Sequence, residues 1–149
     1  MSLIGDYYEE RFMKKKILFV CIENSNRSQM AQAFATIHGE GKTEAYSAGS
    51  RPSGKINPKA IAAMKELGYD LSAHTSKSLE EVKPFAPFDV AVTMGCGDAC
   101  PWMPAKNFAD WQIPDPKEMN ESEFREVRNL IEQKVKKLIS SLEHSENII

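Results

Sequence analysis

Residues 16–38 read KILFVC IENSNRS QMAQAFATIH, and the way this stretch divides decides the fold. Residues 16–21 (KILFVC) form a short, almost continuous apolar run, as expected of a strand covered on both faces. From Ser28 onward Met30, Ala33, Phe34 and Ile37 recur at i, i+3, i+4 and i+7, which predicts a helix over 28–38, and Gly39 is a natural stop. Between strand and helix lies Cys21-x5-Arg27-Ser28. A loop entering a helix presents unpaired backbone N–H groups and the positive end of the helix dipole, so residues 22 to 28 (Ile22, Glu23, Asn24, Ser25, Asn26, Arg27 and Ser28) can wrap a tetrahedral oxyanion. Arg27 adds a planar fork for two oxygens. The same field favours the nucleophilic thiolate at Cys21, to which Ser28 can donate a hydrogen bond. Asn24 and Asn26 tolerate the unusual backbone angles such a loop needs. A cysteine at a strand end is by default a small core residue. The strand, loop, serine and helix together favour an anion-binding nucleophile instead.

The flanking sequence repeats the alternation. Residues 43–48 (TEAYSA) suit a second strand. Asn57 caps a helix with Pro58 at its first position and Gly68 past its end. Residues 90–94 (VAVTM) read as a third strand and 107–113 (NFADWQI) as a weaker fourth. Asn120-x-x-Glu123 opens a last helix whose Phe124, Val127, Ile131, Val135, Leu138 and Leu142 make one apolar stripe. Strands alternating with helices predict an α/β fold: three layers, with a four-stranded parallel sheet and helices on both faces. Ligands of such sheets bind beyond the carboxyl ends of the strands, here just after Cys21 and just after Met94.

The chain has 149 residues with a net charge of −2, 42% hydrophobic and 27% charged residues. That is one globular domain with a real core, expected over residues 13–149, with residues 1–12 an extension or a cloning remnant. Near-neutral charge argues against a nucleic-acid binder, and no apolar run nears the ~20 residues of a membrane span. The first residues lack the apolar core of a signal peptide, so a cytoplasmic monomer is expected. Three cysteines do not make a secreted disulfide framework. With only His38, His74 and His144 beside them, no four-ligand metal site has suitable spacing, and none is expected.

The segment KILFVCIENSNRSQMAQAFA resembles the catalytic loop of low-molecular-weight protein tyrosine phosphatases and of the arsenate reductases that share their fold. The likeness continues through YSAGS (46–50), LGYDLSAHTSKSL (67–79) and DVAVTM (89–94). It implies a low-molecular-weight phosphatase-like fold with Cys21 as nucleophile, Arg27 and Ser28 in the loop and Asp115, of Asp115-Pro116, as general acid. Bare physical chemistry reads Asp115 as a carboxyl in a stiff loop between prolines, able to protonate a leaving oxygen or simply to start a turn. Two departures stand out: Glu23 where the family loop usually has glycine, and Asn26 where it has a second cysteine. Glu23 either points outward or tunes substrate choice.

Three features place the resemblance on the reductase side. Gln29-Met30-Ala31 follows the loop, where phosphatases more often have proline. Lys117 and Glu118 follow Asp-Pro, where phosphatases usually have tyrosines. Cys96 and Cys100 lie just past the third strand. Reducing arsenate needs two electrons, which two thiols supply by becoming a disulfide. The expected activity is therefore arsenate reduction, with Cys96 and then Cys100 continuing a relay from Cys21. No bound cofactor is expected, only an external reductant: thioredoxin, a glutaredoxin- or mycoredoxin-like protein, or a small thiol. The alternatives are a phosphotyrosine phosphatase working through phosphocysteine, with Cys96 and Cys100 inert, and a non-catalytic oxyanion-binding module. Some reductases of this kind hold a monovalent cation by a carboxylate at the position of Lys77, whose ammonium could replace that charge. Trp102 and Trp111 could line the pocket mouth or pack in the core.

Overall fold

The computed structural model describes residues 14–95 and 103–147. Strand β1 (Lys15–Cys21) runs between β2 (Thr43–Gly49) and β3 (Phe88–Thr93), and β3 carries the edge strand β4 (Ala105–Asp110). All three pairings are parallel, in the order β2-β1-β3-β4. An interior parallel strand must be apolar on both faces, and β1 is. Ile17, Phe19 and Cys21 join one core, while Leu18 and Val20 join the other.

Helices α1 (Arg27–His38), α2 (Pro58–Lys65) and α4 (Glu121–Asn147) cover the first face, burying Met30, Phe34, Met64, Phe124, Ile131 and Val135. The opposite face is covered by the single-turn α3 (Leu79–Val82), whose Leu79 and Val82 pack in one cluster with Leu18, Val20, Phe88 and Met103. These are the three layers the sequence predicts. The caps also fall where expected: Asn57 Oδ1 accepts from Lys59 N at 2.9 Å, and Asn120 Oδ1 accepts from Glu123 N at 2.9 Å.

Two elements differ from expectation. The fourth strand is shifted towards the N-terminus of 107–113, because Ile113 N turns back to Trp111 O (2.9 Å) and Pro114 has no N–H to pair. Trp111 packs on Phe19, ring centroids 5.9 Å apart, at the edge of the core. Helix α3 is too short to show periodicity, and its mark is a capping box in which Ser78 N donates to Glu81 Oε2 (2.7 Å) and Glu81 N to Ser78 Oγ (3.3 Å). Among the described residues no helix is long and apolar enough to cross a membrane, and no group of three or more His, Cys, Asp or Glu could hold a metal ion.

Candidate active site

Cys21 ends β1 and Arg27 begins α1, so the loop between them sits at the carboxyl edge of the sheet. Asn24 takes a left-handed turn (φ 51°), which asparagine tolerates. The loop carbonyls are all engaged by surrounding chain. Cys21 O accepts from Ser50 N (3.3 Å), Ile22 O from Arg51 N (2.8 Å) and Ser25 O from Asn57 N (3.2 Å). Glu23 O accepts from Ser53 N (3.0 Å) and Ser76 Oγ (3.1 Å), and Asn24 O from the Gln29 amide (3.1 Å). In a trans peptide the N–H points opposite to the C=O. Tying these carbonyls to the outer chain therefore turns the N–H groups that follow them towards the concave side. Close packing here requires glycine at position 49: a Cβ on Gly49 would lie 2.5 Å from Ile22 O.

The concave side is a cavity of about 130 Å³ lined by Cys21, Ile22, Glu23, Ser25, Asn26, Arg27, Asp115 and Lys117. Asn24 and Ser28 lie behind it. Cys21 Sγ is 2.8 Å from Ser28 Oγ, and Ser28 Oγ accepts from Asn24 Nδ2 at 2.8 Å. With Asn24 donating to the oxygen, the serine proton is free to point at the sulfur. Arg27 is buried. Its Nη1 donates to Met94 O (2.7 Å) and Ile113 O (3.0 Å), and its Nη2 stands 3.9 Å from Asp115 Oδ2. One guanidinium nitrogen thus ties the end of β3 to the Asp115 loop, leaving the others for an anion. Gly95, just after Met94, also adjoins this group: a Cβ there would lie 3.0 Å from Arg27 Nη1. Asp115 is about half exposed, and its Oδ1 accepts from Lys117 N at 3.1 Å. The Lys117 ammonium in turn pairs with Glu23 Oε1 at 3.3 Å.

Behind the loop runs a chain of buried amides. Gln29, wholly buried, donates to Asn24 Oδ1 (2.8 Å) and Thr75 O (2.9 Å) and accepts from His74 Nδ1 (2.9 Å). His74 Nε2 accepts from Tyr69 OH at 2.6 Å. Burial, reinforced by the Lys77 charge, pushes the His74 pKa down to about 4, so the ring is neutral at pH 7 and can serve as donor and acceptor at once. Lys77 N donates to Asn24 Oδ1 (2.7 Å) and Lys77 Nζ to Thr75 O (2.7 Å), which sets its ammonium beside the Gln29 amide; burial lowers the Lys77 pKa as well.

The structure therefore brings Cys21, Arg27, Ser28 and Asp115 together. Asn26 Oδ1 is buried with no hydrogen-bond partner among the described residues. Cys96, Cys100 and Trp102 lie outside those residues, and Trp111 is not part of the cavity wall. Sequence reasoning did not find the Gln29–His74–Tyr69 chain or the Glu23–Lys117 pair, which join segments up to 94 residues apart. A larger groove of about 290 Å³ lies between α2 and α4, floored by Phe124 and edged by Glu66 and Arg125, and no cysteine is among the described residues that line it.

The sequence matches the low molecular weight phosphotyrosine protein phosphatase family over residues 16–147. A Synechocystis protein named glutaredoxin arsenate reductase is 40% identical over 131 residues, covering 86% of this chain and 98% of that one. A Staphylococcus saprophyticus protein named arsenate reductase 2 is 44% identical over 128 residues, covering 83% and 95%. Among solved structures, one described as an arsenate reductase in the phosphate binding state superposes with a TM-score of 0.76 at 39% identity, over 85% of this chain and 98% of that one. The chain belongs to the low molecular weight phosphotyrosine protein phosphatase family, on its arsenate reductase branch.

Proposed function

We propose that the protein reduces arsenate to arsenite. The observation that carries this reading is the convergence of Cys21, Arg27 and Asp115 on one small cavity whose loop carbonyls are tied to the surrounding chain. The preference for arsenate over a phosphate ester rests on the likeness to the Synechocystis and Staphylococcus proteins. Arsenate sits against the N–H groups of residues 22–28 and the free nitrogens of Arg27. Cys21 Sγ attacks arsenic, one As–O bond breaks, and Asp115 protonates the departing oxygen, which leaves as water. A second thiolate then attacks Cys21 Sγ. The S–S bond forms, the S–As bond breaks, and its electron pair stays on arsenic as arsenite. Cys96, which directly follows the Gly95 that adjoins Arg27, is the first choice for that thiol, and Cys100 resolves the disulfide. Electrons come from an external thiol, either a thioredoxin- or glutaredoxin-type protein or a small thiol.

The same loop would serve phosphate ester hydrolysis, so the test separates the two chemistries. Cys96→Ser should stop multi-turnover arsenate reduction and spare aryl phosphate hydrolysis, which uses only Cys21, Arg27 and Asp115. Arsenate should also convert the wild type to a species lighter by about two protons per disulfide. A wild type that hydrolyses aryl phosphates well yet forms no disulfide or mixed disulfide with arsenate would make the protein a phosphatase.

A further inference from the structure

The glutamate that departs from the family loop has its partner on the other wall of the cavity. Glu23 comes from the loop after β1, and Lys117 from the loop after β4, two residues beyond Asp115. Their side chains line the same cavity and meet at 3.3 Å. Lys117 N also holds Asp115 Oδ1, so one residue binds the acid through its backbone and the oxyanion loop through its side chain. Among the described residues, no aromatic side chain lines the cavity.

We propose that the Glu23–Lys117 ion pair is a size filter that admits an unesterified tetrahedral oxyanion and hinders one carrying an organic group. The inference rests on the oxyanion-binding reading of the loop. In an in-line displacement the leaving oxygen lies opposite the attacking sulfur and next to the acid that protonates it. An organic group on that oxygen must project past Asp115, into the space that Lys117 and Glu23 close. An oxyanion whose leaving oxygen carries only a proton stays beneath them. The two charges cancel, so the pair screens by bulk and leaves the attraction for dianions to Arg27 and the loop. Exposed ion pairs are weak one by one, so the filter discriminates severalfold rather than absolutely.

The test compares two unreactive probes, inorganic phosphate and phenyl phosphonate, by calorimetric dissociation constants. The variants are Glu23→Ala/Lys117→Ala, which truncates both side chains at constant net charge, and the swap Glu23→Lys/Lys117→Glu, which rebuilds the pair. In the double-alanine protein the affinity for phenyl phosphonate relative to phosphate should rise at least threefold, and the swap should return it to the wild-type ratio. A rise below threefold overturns the filter. A rise that the swap does not reverse overturns the ion pair as its cause. Neither probe needs reduction, so a protein that binds both as expected but leaves arsenate unreduced would sink the reductase assignment alone.

Discussion

The Asn24 amide donates to the Ser28 hydroxyl at 2.8 Å and so decides where the serine proton goes. An oxygen that accepts from an amide keeps its own hydrogen for another acceptor, and Cys21 Sγ is 2.8 Å away. A hydrogen bond to a charged acceptor contributes about 1.5–3 kcal/mol. Ser28→Ala should therefore slow iodoacetamide alkylation of Cys21 near neutral pH by about tenfold or more. In the wild type Cys21 should be the fastest of the three thiols to react, and phosphate should protect it. Alkylation of Ser28→Ala at the wild-type rate would show that the hydroxyl does not donate to the sulfur.

Arg27 holds two carbonyls and, on the proposed function, the anion as well, so its loss should register in two measurements. Arg27→Lys should lower kcat/KM roughly a hundredfold or more, because a point charge cannot replace the planar donor set facing the anion. It should also lower stability by about 1–3 kcal/mol, because Met94 O and Ile113 O lose their shared donor. Denaturant titration and steady-state kinetics on one preparation check both. A variant with unchanged stability would mean that lysine reaches the two carbonyls.

His74 makes stability depend on mild acid. Its pKa falls from 6.5 to about 4 on folding, so between those values the unfolded chain binds more protons than the folded one. By linkage, stability should fall as pH drops from about 6.5 towards 4. His74→Asn keeps an N–H donor for Gln29 and has no proton to gain. Its stability should change less over that interval, as thermal midpoints measured across the range would reveal. Parallel pH profiles in the two proteins would remove His74 as the cause.

Glu66 should act in stronger acid. Hydrogen bonds from Arg125 and then Arg128 hold its carboxyl pKa at about 2, against 4.5 in the ordinary group. A carboxylate lowered in the folded state stabilises above the unfolded pKa, and the benefit disappears as pH falls through the folded value. Glu66→Gln should melt below the wild type at neutral pH, and the gap should close between about pH 4.5 and 2. A gap that stays constant down to pH 2 would mean that the two arginines do not act through the ionised carboxylate.

What was legible in the sequence was local or periodic. KILFVC announces a doubly covered strand because both of its faces are apolar, and the stripe from Phe124 to Val135 announces α4 because every member meets the same core. Cys21, Arg27 and Ser28 could be read because they share one short loop. Asp115 needed family likeness, since a carboxylate before proline is also an ordinary turn. The Gln29–His74–Tyr69 chain was hidden, because its members are 45 and 5 residues apart and gain meaning only when burial makes their hydrogen bonds obligatory. The Glu23–Lys117 pair was equally silent, since Coulomb attraction leaves no periodic trace in sequence.

Cys21, the proposed nucleophile, stands at the tip of a strand paired on both sides and covered on both faces, whereas Asp115, the proposed acid, stands on an exposed loop. Amide hydrogens in residues 17–20 should exchange with solvent only when the whole molecule opens, and those around Asp115 through small local fluctuations. The two halves of the chemistry therefore have different mechanical characters. The sulfur proposed to attack is held inside the sheet, and the proposed proton donor sits on a solvent-facing loop that Pro114, Pro116 and the Arg27 bond to Ile113 O brace from outside the sheet. Sequence drift in the loop after β4 can then retune what the pocket accepts without displacing the atom that attacks.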